Sequence, residues 1–339
     1  MRDVKIFSVI ILHYNQNKFW RYAVDSVLTQ NYNKIQLIFS DDCSTDFDKA
    51  EVENYIVKNM NDNLCSFQVI TSDINKGTVK NLNLAIKHTT GKYIYIFAAD
   101  DVLYNEFVLC IFAEALEQYN NNICGIYGRS IKCNYELEPI GEDYIDPYEA
   151  VAYNEMNPAE QFEHLCEKCR FPIGAMAFRR EKYLQYFPHD ESYHLIEDWP
   201  FFLKVTRNKE KFWFINYPIL LYREGGVSRP VKSDEIIEKW SNKDYITIYD
   251  KEIWPYCEKL RLSTILKIAR IYDYNRTGMK RLDPTWNSIK RIYIMQHSFK
   301  YIVVFMYRFF FHFLEMPNYL NKRIKILSNL RIYLFDIRQ

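Results

Sequence analysis

Two pairs of adjacent aspartates follow apolar runs in the first third of the chain. Asp41 and Asp42 end one run, and Asp100 and Asp101 end another. Hard divalent cations take carboxylate oxygens as ligands and bridge phosphates, so Asp100 and Asp101 suit a metal ion that holds a diphosphate. A carboxylate at Asp42 suits hydrogen bonds from a nucleobase or a ribose.

Four further side chains could serve the same chemistry. Tyr14 follows the first apolar run and offers a flat face on which a base can stack. Lys76 and Lys80 carry positive charge that would lie near phosphates. Asp198 opens a predicted helix beside Trp199, where burial would tune its pKa for a general base.

Each of these features also has a plainer explanation. An aspartate pair after a strand often forms a turn and a helix cap, and Tyr14 is one of 28 tyrosines. Single lysines are usually solvated. The aspartate pairs, Tyr14 and the lysines occur together at the ends of successive predicted strands, and this combination favours a functional interpretation.

Alternating strand and helix patterns position these residues. We predict strands at residues 6–12, 35–40, 67–71, 93–98 and 123–131, with amphipathic helices at residues 78–88 and 106–119 and another that begins near Phe19. This alternation predicts an α/β fold with a mostly parallel sheet and helices on both faces. Ligands of such sheets bind at the carboxyl ends of the strands, where the acidic pairs stand.

The rest of the chain divides into two further parts. Residues 134–158 are predicted irregular and acidic, and they precede a helix at 158–170, a strand at 173–179, a helix from Glu197 to about 206, and short strands at 213–215 and 220–223. Beyond residue 230 the pattern is wholly helical. We therefore predict domains at 1–132, 133–230 and 231–339.

Composition excludes several classes of protein. The chain has 339 residues but only 9 glycines, and no GxGxxG or GxxxxGK[ST] motif, which argues against dinucleotide and P-loop enzymes. Its net charge of +1 argues against a nucleic-acid-binding polycation. No signal peptide and no membrane-spanning helix are expected. The eight cysteines are interpreted as reduced thiols; Cys166 and Cys169 form one CxxC motif, without the second ligand pair of a structural zinc site.

Six ordered motifs between residues 5 and 230 resemble those of the family 2 glycosyltransferases with the GT-A fold. They are SVIILHYNQ, SVLTQNY with IQLIFSDDCSTD, NKGTVKNLNLAI, GKYIYIFAADDVL, IEDWPFFLKV and YREGGVS. Inverting members of that family transfer a sugar from a nucleotide sugar, commonly a UDP-sugar, with Mn²⁺ or Mg²⁺. The resemblance implies that Tyr14 and Asp42 hold the base and that Lys80 lies near the diphosphate. Asp100 and Asp101 would serve ribose and metal.

The resemblance also implies that Asp198 deprotonates the acceptor hydroxyl. Two departures from the family pattern stand out. Ala98 occupies the position where the family often has the first acid of Asp-x-Asp-Asp, which predicts weaker metal binding. Glu224 follows Arg223 where the family often has a histidine soon after the arginine, so Arg223 is expected to take part of that phosphate-binding role.

The last part of the chain is basic and amphipathic. Residues 286–339 contain nine Lys and Arg residues against Glu315 and Asp336, a net charge of +7. On a helical projection Lys290, Lys300 and Arg308 share one face, opposite a broad apolar and aromatic face. This pattern is typical of a helix that lies in a membrane interface. The alternatives are packing of the apolar face on the catalytic domain or on a second subunit.

The resemblance implies an inverting transferase that moves a sugar to a hydroxyl of a saccharide acceptor, and it makes a lipid carrier such as a polyprenyl diphosphate the expected anchor of that acceptor. By resemblance, such enzymes build bacterial surface polysaccharides, and the chain is expected in the cytoplasm, peripheral on the inner face of the cell membrane. Two alternatives remain. One is a non-catalytic nucleotide-sugar-binding protein with a decayed metal site, and the other is a sugar nucleotidyltransferase, disfavoured because no glycine-rich activation loop follows the first strand.

Overall fold

The computed structural model describes residues 5–119, 122–141, 143, 145–224, 235–261, 263–265 and 267–268. The chain separates into two compact units, the first ending at Ile248 and the second beginning at Tyr249. The first unit contains the sheet and all the residues for which a catalytic or binding role is predicted. The domain boundaries after residues 132 and 230 remain predictions.

Eight strands of the described residues form one sheet. They are β1 (Phe7–His13), β2 (Ile35–Asp41), β3 (Leu64–Thr71), β4 (Tyr93–Ala98), β5 (Val102–Leu103), β6 (Ile123–Cys133), β7 (Met176–Arg179) and β8 (Lys211–Arg223). Their order across the sheet is β3-β2-β1-β4-β7-β6-β8-β5. The pairs β1–β2, β1–β4, β2–β3 and β6–β8 are parallel, whereas β7 and β5 run antiparallel to their neighbours. The predicted α/β class with a mainly parallel sheet is confirmed.

Nine α-helices in the described residues accompany the sheet. They are α1 (Trp20–Leu28), α2 (Lys49–Asn59), α3 (Thr78–Ile86), α4 (Val108–Gln118), α5 (Pro147–Glu155), α6 (Pro158–Leu165), α7 (Arg180–Leu184), α8 (Asp198–Arg207) and α9 (Glu235–Ile248). Strand β1 shows why the sheet is covered on both faces. Val9 and Ile11 pack in one core cluster with Val27 of α1, while Ile10, which points to the other face, is fully buried where α3 contacts β1.

Four local predictions in the second half of the first unit differ from the structure. Helix α5 lies within the stretch predicted to be irregular, and it begins with an Asp146 side-chain cap and Pro147 in the first turn. The helix predicted to end at residue 170 ends at Leu165, and a 3₁₀ turn replaces the start of the strand predicted from residue 173. Strand β8 is continuous rather than two short strands, because β6 pairs with it along its length through irregular register steps.

The second unit begins with a π-helical turn at Tyr249–Ile253 and a 3₁₀ segment at Trp254–Lys259. The predicted amphipathic helix that contains Lys290, Lys300 and Arg308 lies outside the described residues. Within the part of the chain that is described, no helix combines the length and the apolar character that a bilayer crossing needs.

Candidate functional site

The ends of β1 and β2 meet through a buried His13–Asp41 pair. His13 Nδ1 lies 2.7 Å from Asp41 Oδ1, and the Ser44 main-chain N–H and hydroxyl both donate to the same carboxylate. Burial alone would raise the pKa of Asp41, but the hydrogen bonds from His13 and Ser44 outweigh it and the pKa is lowered. Sequence reasoning gave His13 no role and considered Ser44 only as a cap of the next helix, which Asp48 caps instead; the polar residues after an apolar strand were the available signal.

The loops that follow β1 and β2 are joined around Asn15. Its main-chain N–H donates to Ser44 Oγ across 2.7 Å, and its side-chain Oδ1 accepts from Thr45 N across 2.9 Å. Asn15 has a left-handed backbone with φ of 54°, a conformation that asparagine tolerates better than most residues. This junction fixes the backbone on one side of Tyr14, which is half-buried as a stacking residue would need to be.

Asp42 holds the loop that leads into α3. Its carboxylate accepts hydrogen bonds from Lys76 N at 2.9 Å and from Gly77 N at 2.7 Å. Burial raises the pKa of Asp42 although these two bonds oppose the rise. The predicted contact of Asp42 with a base therefore has to use the lone pairs that this loop leaves over. Lys80 lies exposed in the first turn of α3.

Asp100, Asp101 and Arg223 form a buried cluster at the ends of β4 and β8. Arg223 N donates to Asp101 Oδ1 across 2.9 Å, and Arg223 Nε donates to the main-chain oxygen of Asp100 across 2.8 Å. Both carboxyl groups are almost fully buried. Gln16, in the loop after β1, places its Nε2 at 3.4 Å from Asp100 Oδ2. Asp100 and Asp101, predicted from one motif, are thus brought together with Arg223, predicted from another.

The Arg223 guanidinium is held between this cluster and an aromatic wall. Its Cζ lies 4.2 Å from the centre of the Phe19 ring, and Nη1 donates to the main-chain oxygen of Tyr135. Among the described residues Nη2 has no hydrogen-bond partner, although it is buried. A buried guanidinium N–H without a partner suits an anionic group such as a phosphate oxygen.

The carboxylates of Asp100 and Asp101 fit a divalent cation by their chemistry. Burial raises the pKa of Asp100 to about 6 and that of Asp101 well above its usual range, and the charge of Asp100 adds to the second rise. Two hard oxygen donors in a desolvated site are stabilised by a cation such as Mn²⁺ or Mg²⁺. Within the described residues, however, no group of three His, Cys, Asp or Glu side chains is gathered as a complete ligand set. The missing acid at Ala98 is in keeping with that incomplete set.

Asp198 stands in the first turn of α8, at the helix terminus where main-chain N–H groups are free to bind it. Its Oδ1 accepts from Trp199 N across 2.6 Å, and its Oδ2 accepts from the Cys169 thiol across 3.6 Å. The indole of Trp199 donates to the main-chain oxygen of Leu165 and so fixes the start of the helix. Burial raises the pKa of Asp198 to about 6, while burial and then the charge of Asp198 raise the pKa of Glu197 well above its usual range.

A short segment connects Asp198 with the buried acidic pair. Cys169 contacts Asp198, and five residues later Gly174 approaches Asp101, where a Cβ on Gly174 would lie 3.8 Å from Asp101 Oδ2. The structure thus brings the helix terminus and the strand-end carboxylates to the two ends of one segment. Sequence reasoning interpreted Cys166 and Cys169 as reduced thiols on a helix and gave Cys169 no part in the site; in the structure Cys169 is a free thiol that lies beyond the end of α6 and contacts Asp198.

Comparison with protein families gives a profile match that includes Tyr14, Asp42 and the Asp100–Asp101 pair and ends before Asp198. The profile described as "Glycosyl transferase family 2" matches residues 8–187, which is more than half of the chain. Among individual proteins, the chain is similar to a glycosyltransferase of Haemophilus influenzae, with 22% identity over 320 residues that cover 89% of this chain and 92% of the relative. It is also similar to the glycosyltransferase GlyG of Streptococcus pneumoniae, with 22% identity over 74% of this chain and 80% of GlyG.

Solved structures of related architecture were also found. The mannosyltransferase PcManGT of Pyrobaculum calidifontis, in complex with GDP-Man and Mn²⁺, aligns with a TM-score of 0.54 at 14% identity, over 90% of this chain and 84% of that one. Residues 1–349 of S. aureus TarS, in complex with UDP-GlcNAc, align with a TM-score of 0.50 at 15% identity, over 79% and 81%. The match spans about half, 49%, of the longer TarS chain. At these identities the likeness concerns the fold.

Proposed function

The chain belongs to glycosyltransferase family 2 and has the GT-A fold, and from that premise we propose an inverting transferase that moves a sugar from a UDP-sugar to a hydroxyl of a saccharide acceptor. The proposed acceptor is linked to a polyprenyl diphosphate, and the proposed place of reaction is the inner face of the cell membrane. The basic carboxyl-terminal part of the chain and the family resemblance support these two finer statements.

One observation carries the proposal: two acidic groups of raised pKa stand at the ends of one short segment. Cys169 contacts Asp198 and Gly174 approaches Asp101, as described above. An inverting transfer needs one carboxylate to take a proton and a separate charged group to stabilise the leaving diphosphate. The segment from Cys169 to Gly174 links these two functions, which come from residues far apart in the chain.

Asp198 is the proposed general base. A pKa of about 6 makes the carboxylate a better proton acceptor than an ordinary aspartate and leaves it ionised at neutral pH. As the acceptor oxygen attacks the anomeric carbon, its proton passes to Asp198, and the bond from that carbon to the diphosphate oxygen breaks. One displacement inverts the configuration, so no second carboxylate is needed as a covalent nucleophile.

Asp100 and Asp101 would hold Mn²⁺ or Mg²⁺ at the donor diphosphate. When bound, the cation neutralises the negative charge that grows on the leaving diphosphate. Arg223 adds its buried Nη2 group from the same cluster, and Lys80 adds a solvated charge from α3. The positive charges of Arg223 and Lys80 stabilise the transition state more than the ground state, because negative charge develops on the leaving diphosphate during the reaction.

Tyr14 and Asp42 are the proposed holders of the nucleobase. The Asn15–Ser44 junction fixes the loop that carries Tyr14, and the Lys76 and Gly77 N–H groups fix the Asp42 carboxylate. The TarS fragment is in complex with UDP-GlcNAc and PcManGT with GDP-Man, so an assay should offer both nucleotides.

A donor and acceptor screen tests the proposal. The purified chain with Mn²⁺ receives each of UDP-glucose, UDP-galactose, UDP-GlcNAc and GDP-mannose, with and without octyl glycosides and polyprenyl-diphosphate-linked saccharides, and nucleoside diphosphate release is measured. We expect acceptor-dependent release from a UDP-sugar and a product whose anomeric configuration, read by NMR, is inverted. Binding without release would favour a non-catalytic protein, and pyrophosphate release from UTP with a sugar 1-phosphate would favour a nucleotidyltransferase.

A further inference from the structure

Helix α9 holds the segment that precedes Asp198 through one buried carboxylate. Asp244 is 0% exposed, and its Oδ2 accepts three successive main-chain N–H groups, from His194 at 2.9 Å, Leu195 at 2.7 Å and Ile196 at 3.1 Å. Three N–H groups that converge on one oxygen form a concave anion-binding arrangement of the backbone. Here the anion is a side chain of the same protein, so the arrangement fixes the segment to α9.

Two ring contacts of the same helix support this attachment. The His194 ring stacks on Trp240, with ring centres 5.3 Å apart and planes inclined by 25°. Tyr245, the residue after Asp244, contacts Trp199 with ring centres 5.8 Å apart. Helix α9 therefore contacts the chain on both sides of the Glu197–Asp198 pair, and it lies beyond the residues that the family profile matches.

The segment is also held from its other side. Val79 N, at the start of α3, donates to the main-chain oxygen of His194 across 3.3 Å. Loss of the Asp244 contacts would thus free the N–H side of the segment while its carbonyl side stays attached. The consequence should be local, at the entry to α8, rather than a loss of the fold.

We propose that Asp244 is a positioning residue for the general base. The proposal rests on the proposed function, in which Asp198 takes the acceptor proton. In this proposal Asp244 acts through the backbone and not on a substrate: it fixes residues 194–196, directly before Glu197, and so sets where the first turn of α8 presents Asp198. A base displaced by about 1 Å can lower the rate about 10²-fold, whereas a donor held by other loops binds as before.

Hydrogen exchange tests the attachment without any substrate. The variant Asp244→Asn keeps the size of the side chain but loses the charge that strengthens the three hydrogen bonds. We expect the amides of residues 194–196 to exchange roughly tenfold faster or more, with little change in the strands. Asp190→Asn is the matched control, because Asp190 is exposed and lies in the same stretch of chain, where its carboxylate accepts a hydrogen bond from Ser192 N.

Kinetics then separate positioning from a general loss of structure. We expect kcat of Asp244→Asn to fall about 10²-fold, with an unchanged dissociation constant and an unchanged stoichiometry for UDP with Mn²⁺. The double variant with Asp198→Asn should be no slower than Asp198→Asn alone, because a misplaced base and an absent base are the same defect. If Asp244→Asn only damaged the structure, its loss of kcat would multiply with that of Asp198→Asn in the double variant. The number of UDP molecules bound per chain would also fall.

Two results would overturn the inference. One is unchanged exchange at residues 194–196 in Asp244→Asn, and the other is faster exchange with kcat equal to that of the wild type. If the variant does not fold, His194→Ala, which removes the stacking on Trp240, replaces it in the same assays. A wild-type chain that transfers no sugar in the screen would contradict the proposed function, while the exchange experiment would still decide whether Asp244 holds the segment.

Discussion

The Cys169 thiol donates a hydrogen bond to Asp198 Oδ2, with sulfur and oxygen 3.6 Å apart. Burial raises the pKa of the Cys169 thiol well above its usual range, so the group remains a protonated donor at neutral pH. Burial likewise raises the pKa of Asp198 to about 6, and the bonds from Trp199 N and from Cys169 oppose that rise because they stabilise the carboxylate. The thiol thus helps to set the proton affinity of the proposed base.

The variant Asp198→Asn should lose transfer activity and keep donor binding. The amide preserves size and its single oxygen can keep the bond from Trp199 N, but its NH₂ group cannot accept the Cys169 thiol and the side chain cannot take a proton, so kcat should fall roughly 10²–10⁴-fold. Isothermal titration with UDP and Mn²⁺ should give the wild-type dissociation constant. Glu197→Gln is the neighbouring control; if that variant is inactive and Asp198→Asn is not, Glu197 is the base.

The same variant should be more stable than the wild type at neutral pH. The pKa of Asp198 rises from an ordinary 3.8 to about 6 on folding, so the folded state binds more protons between those values. The free energy of unfolding contributed by this carboxyl therefore falls as pH rises from about 4 through about 6. The asparagine side chain does not titrate, so the variant does not lose stability in this way. In thermal unfolding, the Tm of Asp198→Asn should exceed that of the wild type by more at pH 8 than at pH 5.

The pH dependence of the rate should report Asp198 and respond to Cys169. Since the base acts as the carboxylate, kcat should fall as pH is lowered through about 6. Cys169→Ala removes a donor that favours the carboxylate, so the acidic limb should move upward, by less than about one unit because a thiol is a weak donor. Cys65→Ala, at an exposed cysteine of β3, should leave the profile unchanged. A downward shift in Cys169→Ala would contradict the assigned hydrogen bond.

Activity should depend on a divalent cation bound by Asp100 and Asp101. Treatment with EDTA should abolish transfer, and Mn²⁺ or Mg²⁺ should restore it. Asp101→Asn keeps the oxygen that accepts Arg223 N but removes a charge, so transfer should drop at least about 10²-fold and recover in part at high Mn²⁺. Full turnover in EDTA would mean that Arg223 and Lys80 neutralise the diphosphate without a metal.

The sequence predicted the strand ends well because buried parallel strands leave a strong signal. The run of β1 is apolar at nearly every position, and the polar residues that follow it must lie at the carboxyl edge of the sheet. This reasoning brought Asp42, Asp100 and Asp101 to one edge, where the structure has their loops in contact through Asn15 and Gln16. The alternation of strand and helix patterns indicates a mostly parallel sheet, and the carboxyl ends of parallel strands lie at one edge of the sheet.

The contacts around Asp198 could not be read from the sequence. Cys169 and Asp244 lie 29 and 46 residues from Asp198 along the chain, and neither belongs to a pattern with a fixed period. Cys169 lies in the loop after α6, and Asp244 lies on α9 and binds residues 194–196, so both positions depend on how separate parts of the chain pack over the whole core. The cap of α5 by Asp146 was a readable signal, but the acidic composition around it masked the helix.

The intact chain should bind anionic membranes through its basic carboxyl-terminal part. Each basic side chain near an anionic surface contributes about 1 kcal/mol, so replacement of Lys290, Lys300 and Arg308 by Glu should lower binding to phosphatidylserine vesicles roughly 10²-fold or more. Wild-type binding should weaken as salt rises but persist, since burial of the aromatic face is not screened. The charge-matched control replaces exposed lysines of the first unit, namely Lys18, Lys58 and Lys87. An intact, monodisperse chain that does not sediment with vesicles would favour packing of this face on the catalytic domain or a second subunit.

A methyl group at Gly77 should damage the donor site through the backbone. Gly77 has φ of 85°, and a Cβ there would lie 2.8 Å from the main-chain oxygen of His194, so Gly77→Ala adds a clash to backbone strain. Gly141→Ala is the matched control, because φ is 74° but a Cβ would meet nothing within 4 Å. Strain alone costs about 1–3 kcal/mol, so both variants should lose stability in urea unfolding, and Gly77→Ala should lose more.

Because Gly77 N binds the Asp42 carboxylate, we expect weaker UDP binding in Gly77→Ala alone. Equal UDP affinity in the two variants would show that the Asp42 loop does not hold the nucleotide.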